Sequence, residues 1–112
     1  MSVDEPSLID IISFDPATRE TVLTISDHLD WADAVHHQEI LQRKLNAYLA
    51  FVESGELLEK YPDAEDTAIC LKIVLKFKPD QEGLLFLSRA QQAVKLAGFR
   101  LEHHLFAESY NN

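Results

Sequence analysis

Apolar and polar residues alternate with a period of two in some stretches of this chain and recur every three or four residues in others. "LIDIISF" (8–14) sets Leu8, Asp10, Ile12 and Phe14 against Ile9, Ile11 and Ser13 and is rich in β-branched residues, which predicts a strand. "TVLTIS" (21–26) predicts the returning strand. Between them, in "DPATRE" (15–20), Asp15 and Pro16 suit the first two positions of a type I turn, so the pair reads as a hairpin. Leu41, Leu45, Tyr48, Leu49 and Val52 then form one apolar stripe of a long helix over 33–54. Gln38, Glu39, Gln42, Arg43 and Asn46 lie opposite, and Gly55 follows as the C-terminal cap.

The link "ELLEKYPDAED" (56–66) has room for one helical turn at 56–60 before Pro62. "TAICLKIVLKFK" (67–78) is the clearest strand. Ile69, Leu71, Ile73, Leu75 and Phe77 face one side, and Cys70, Lys72, Val74, Lys76 and Lys78 the other. A second helix is predicted over 79–98, with Asp80 as N-cap, Glu82 near the positive helix end and Gly98 as C-terminal cap. Its buried stripe is Leu84, Leu87, Ala90, Val94 and Ala97, with Phe86 beside it. "FRLEHHLF" (99–106) reads as the last strand. The expected order is ββαβαβ: an α+β two-layer sandwich with a four-stranded, mainly antiparallel sheet and two helices on one face. The strand order stays open. One domain over 1–112 is expected, with 1–7 and 107–112 as flexible tails.

Composition narrows the classes. With 112 residues, 46% hydrophobic and 26% charged, the chain can bury one core. Its net charge of −9 repels nucleic acid and anionic membrane and speeds encounter with a basic partner. The acidic stretch "MSVDEPSLID" lacks the basic n-region of a secretory signal, and no apolar run approaches the ~18 residues of a membrane span. Cys70 stands alone and cannot form an internal disulfide, which points to a reducing cytoplasm.

Candidate chemistry concentrates in "VLTISDHLDWADAVHH" (22–37), which holds three aspartates, three histidines and the only tryptophan. His28, Asp30 and His37 are residue types that ligate metals. The spacing weighs against a metal site, because His36 and His37 diverge by roughly 100° on a helix and no histidine pair has zinc-site spacing. Ser26, Asp27, Asp30 and Asp33 instead supply what a stepwise helix start needs, with Trp31 as a lid on the core's end. No catalytic residue, metal or cofactor is therefore expected. Lys72, Lys76, Lys78 and Arg100 could form a basic stripe on the sheet's open face, but no aromatics interleave with it as nucleic-acid binding would want.

The long helix carries more apolar surface than one stripe. Ala47, Ala50 and Phe51 are surplus, and either the 56–61 segment folds back over them or a second subunit does. Ala47, Tyr48, Ala50, Phe51, Leu57, Leu58 and Tyr61 are the interface candidates of the second case. The stretches "VLTISDHLDW" and "NAYLAFVESGEL" resemble a family of small, uncharacterised bacterial proteins grouped as a domain of unknown function. The resemblance implies a cytoplasmic, single-domain protein and brings no assigned catalytic residues. It also implies a glycine in the hairpin turn where this chain has Arg19, so that Arg19 is strained or the turn differs. The leading expectation is a non-enzymatic module that forms a homodimer or binds a basic protein, in the manner of an acidic immunity-type binder. The alternative is a small metal-dependent or hydrolytic enzyme using Asp27, His28, Asp30 and His37.

Overall fold

A computed structural model describes residues 11–106 of the chain. Strand β1 (Ile11–Asp15) and strand β2 (Glu20–Asp27) form the expected hairpin, Ser13 standing opposite Val22. The Asp15 carboxylate accepts from Ala17 N–H at 2.9 Å and starts the turn. Arg19 closes it with φ of 57°, a left-handed conformation that costs a side-chain-bearing residue roughly 1–2 kcal/mol. Arg19→Gly is therefore expected to leave stability unchanged or raise it by up to about 1 kcal/mol. A fall in the urea midpoint would show that the arginine makes a compensating contact.

Helix α1 (Ala34–Glu53) begins at Asp33, whose side chain accepts from His36 N–H. It ends at Glu53 with Ser54 as C-cap, and Gly55 just beyond takes φ of 90°. The turn expected after it is a helix of its own, α2 (Glu56–Lys60), followed by a 3₁₀ turn at Pro62–Ala64. Strand β3 (Ala68–Leu75), helix α3 (Gln81–Leu96) and strand β4 (Arg100–Leu105) complete the order. The Asp80 carboxylate accepts from Gly83 N–H at 2.7 Å and caps α3.

The strands lie in the order β1-β2-β3-β4. Only the hairpin is antiparallel: β2 pairs with β3, and β3 with β4, in parallel. The sheet is thus mixed rather than mainly antiparallel, and three helices replace the expected two. The connections explain the correction. A long helix carries the chain back to the end from which it started, so each strand after a helix runs parallel to the one before it. Two such crossovers of one hand, stepping the same way, put both long helices on one face.

The core lies on that face. Leu23 and Ile25 of β2, Leu71, Ile73 and Leu75 of β3 and Leu101 of β4 meet Leu41, Leu45 and Tyr48 of α1 and Leu87, Ala90 and Val94 of α3. The α3 stripe is displaced from expectation: Gly83 is buried, whereas Leu84 and Ala97 are exposed. Phe77, placed on the inward face of a longer strand, lies past the end of β3 and is exposed. The segments 1–7 and 107–112, expected as tails, lie outside the described residues. No helix among the described residues is long and apolar enough to cross a membrane.

Candidate functional site

Asp27 is the last residue of β2, and His37 sits one turn into α1. Ten residues apart in sequence, they meet in the interior. His37 Nε2 lies 2.5 Å from Asp27 Oδ2, and both side chains are at most 2% exposed. The other ring nitrogen, Nδ1, lies 2.9 Å from the Asp30 carbonyl oxygen. A carbonyl oxygen only accepts, so Nδ1 carries a proton. One further proton then lies between Nε2 and the carboxylate. Burial pushes the Asp27 carboxyl above its ordinary range, against the pull of His37 and of the Leu29 N–H that donates to Oδ1 at 3.1 Å.

The neighbours of this pair complete a seam between strand and helix. Trp31 stacks on the His37 ring with centroids 3.7 Å apart, and its indole N–H donates to the Phe77 carbonyl at 3.2 Å. A Cβ on Gly83 would lie 2.9 Å from the indole, so glycine at that position of α3 makes room for the lid. Asp30 accepts from Ala32 N–H at 3.0 Å. Asp27, Asp30 and Asp33 thus each cap a backbone N–H two or three residues on, and the chain steps from strand into helix over them.

His28, Leu29, Asp30, Asp33, His36, His37, Lys76 and Phe77 border an open crevice of about 360 Å³, so the seam's buried histidine forms part of its wall. It lies at the carboxyl ends of β2 and β3, where open sheets with parallel strands commonly hold ligands. Yet both nitrogens of His37 are occupied, and no serine, threonine or cysteine lines the crevice. Among the described residues no three His, Cys, Asp or Glu side chains are grouped so as to hold a metal ion. His28 and His36 are exposed, whereas His37, on the same crevice wall, is buried with both ring nitrogens engaged.

The stripe of basic residues takes another form. Arg100 reaches from β4 across β3 and grips Glu20 of β2 with both ends of its guanidinium, at 2.8 and 2.7 Å, while its third nitrogen donates to Glu102 at 3.1 Å. The guanidinium holds Glu20 below the ordinary carboxylate range. Lys76 and Lys78 lie beyond the end of β3. Cys70, paired in register with Arg100, is fully buried, and burial pushes its thiol up to about 11, where it stays protonated and unreactive.

The interface candidates divide. Tyr48, Phe51 and Leu57 belong to the chain's own core, because α2 folds back on α1. Tyr48 also donates its hydroxyl to the Thr24 carbonyl. Ala47 is half-buried, and Ala50, Leu58 and Tyr61 are exposed. Tyr61 does not continue an α1 face. It borders a separate groove of about 360 Å³ with Ile12, Ser13, Phe14, Thr21, Asp63 and Ala64. Phe14 is 54% exposed there. Period-two patterning placed Ile12 and Phe14 on one strand face, but nothing in it told that α1 stops short of covering them.

No curated protein and no solved structure matches this chain. A family model does match, over residues 1–107, and the chain belongs to that family of unknown function, DUF6572.

Proposed function

We propose that this member of the family is a non-enzymatic protein-interaction module, acting as a homodimer or as an acidic binder of a basic protein. The observation that carries this reading is the outer side of β1. Among the described residues no strand pairs with that edge, and Phe14 and Tyr61 stand exposed beside it over an apolar groove. Unpaired backbone groups next to exposed aromatics are what strand addition uses. The occupied nitrogens of His37 support the same reading from the other side, since they leave the histidine no free group for acid–base work.

Native mass spectrometry of the untagged protein, compared with a Phe14→Glu/Tyr61→Glu variant, tests it. Both residues are surface residues, so the variant should unfold within about 0.5 kcal/mol of the parent while losing association with a second copy or a co-purifying protein. A monomer carrying stoichiometric metal would overturn the reading in favour of an enzyme at the Asp27–His37 seam.

A further inference from the structure

We infer that the edge of β1 receives an extended, basic segment of another protein as a fifth strand, its alternate apolar residues entering the Phe14 groove. This rests on the interaction reading above and adds the chemistry of the partner.

The two edges of the sheet differ. The outer edge at β4 carries Arg100, Glu102, His103 and His104, charged or polar side chains of the kind that discourage further pairing. The edge at β1, "IISFD", carries one charge, Asp15, and that carboxylate is already engaged by the Ala17 N–H. It has no lysine, proline or bulge. An added strand would place every second side chain beside Ile12 and Phe14, where Tyr61 and Ala64 complete an apolar wall.

Charge selects among occupants. The link that forms this wall, 56–66, carries five carboxylates, Glu56, Glu59, Asp63, Glu65 and Asp66, against the single cation Lys60. All five are exposed, and Asp63 lines the groove itself. Lys60 holds its ammonium 5.7 Å from the Phe51 ring. Two copies of the chain joined at β1 would set one acidic rim near the other, a like-charge arrangement that opposes pairing. Lysines or arginines interleaved with apolar residues would satisfy both the groove and its rim.

The test uses a labelled peptide of about ten residues alternating valine and lysine, a counterpart with glutamate for lysine, and one with a central proline. The lysine peptide should bind, shift the amide resonances of 11–15 and 61–64, and weaken at least tenfold between roughly 50 and 500 mM salt. The proline peptide should bind poorly, because it lacks a ladder donor. Asp63→Asn/Glu65→Gln should weaken the lysine peptide several-fold at an unchanged melting temperature. Equal binding of the glutamate peptide, or no shift at 11–15 with the lysine peptide, would overturn the inference. If the protein then dimerises with those same amides perturbed, the interaction reading survives without the basic partner. If it stays monomeric with no perturbation, both fall.

Discussion

Replacing His37 by leucine is expected to lower the unfolding free energy by about 3–5 kcal/mol at neutral pH, because it leaves the Asp27 carboxylate buried with the Leu29 N–H as its only partner in the seam. The loss should shrink toward pH 4. Burial already raises the Asp27 carboxyl, and His37 supplies the largest pull in the opposite direction. A carboxyl whose folded pKa is raised takes up a proton on folding. Its favourable contribution is complete below the ordinary value of about 3.9 and is lost as pH rises through the folded value. Without His37 the folded value rises further, so the variant loses stability with rising pH over a wider window than the parent. Asp27→Asn should cost less, about 1 kcal/mol, since a side-chain amide can donate to Nε2 of a neutral imidazole. Urea unfolding at about pH 4 and pH 7 reads both variants. Trp31, stacked on His37, is the only tryptophan and reports on the seam directly. A His37→Leu protein as stable as the parent at both values would show that the pair contributes nothing to the fold.

That pair was only half legible in the sequence. The three aspartates are caps, as residue type and position predict, and Trp31 lies over the core's end with its N–H on a carbonyl. Spacing between neighbouring residues does not reveal the buried hydrogen bond of Asp27 with His37. A signal was present: His37 stands four residues before Leu41 and eight before Leu45, in line with the buried stripe. A histidine on that stripe must find a partner inside, and the end of the preceding strand is the nearest supplier of one. Lys44 escaped for a similar reason. It is fully buried, with its ammonium 5.4 Å from the Tyr48 ring, although its charge suggests the outer face. Sheet direction needed no contact at all. The helices between β2 and β3 and between β3 and β4 imply parallel pairing, whereas the antiparallel expectation follows from the apolar-in, polar-out alternation of 67–78, a pattern that does not fix strand direction. What period-two patterning cannot supply is how far a helix layer extends, and so it cannot tell that Phe14 is left beside an open groove.

Phe51→Glu should abolish folding or cost more than about 4 kcal/mol, against a change within about 0.5 kcal/mol for Leu58→Glu. Phe51 belongs to the apolar surplus of α1 and Leu58 to the segment after it, and as sequence both are candidates for a subunit interface. Their positions separate them. Phe51 is 8% exposed in a core cluster that includes Leu57, whereas Leu58 on the next position of α2 is 45% exposed. Gly55, at φ of 90°, turns the chain so that α2 packs back on α1, and this fold-back consumes the face that a partner would otherwise cover. A carboxylate at position 51 would lie in the core cluster, where the exposed Lys60 ammonium, 5.7 Å from the present ring, offsets little of the cost of burying a charge. A loss of this size approaches the whole stability of a domain of this length. Circular dichroism and size-exclusion chromatography decide the matter. A folded Phe51→Glu protein that merely changed its oligomeric state would return the interface to α1. An unfolded one, beside a normal Leu58→Glu protein, removes the α1 face from the candidates and leaves the β1 edge, with Phe14 and Tyr61 exposed, open to a partner.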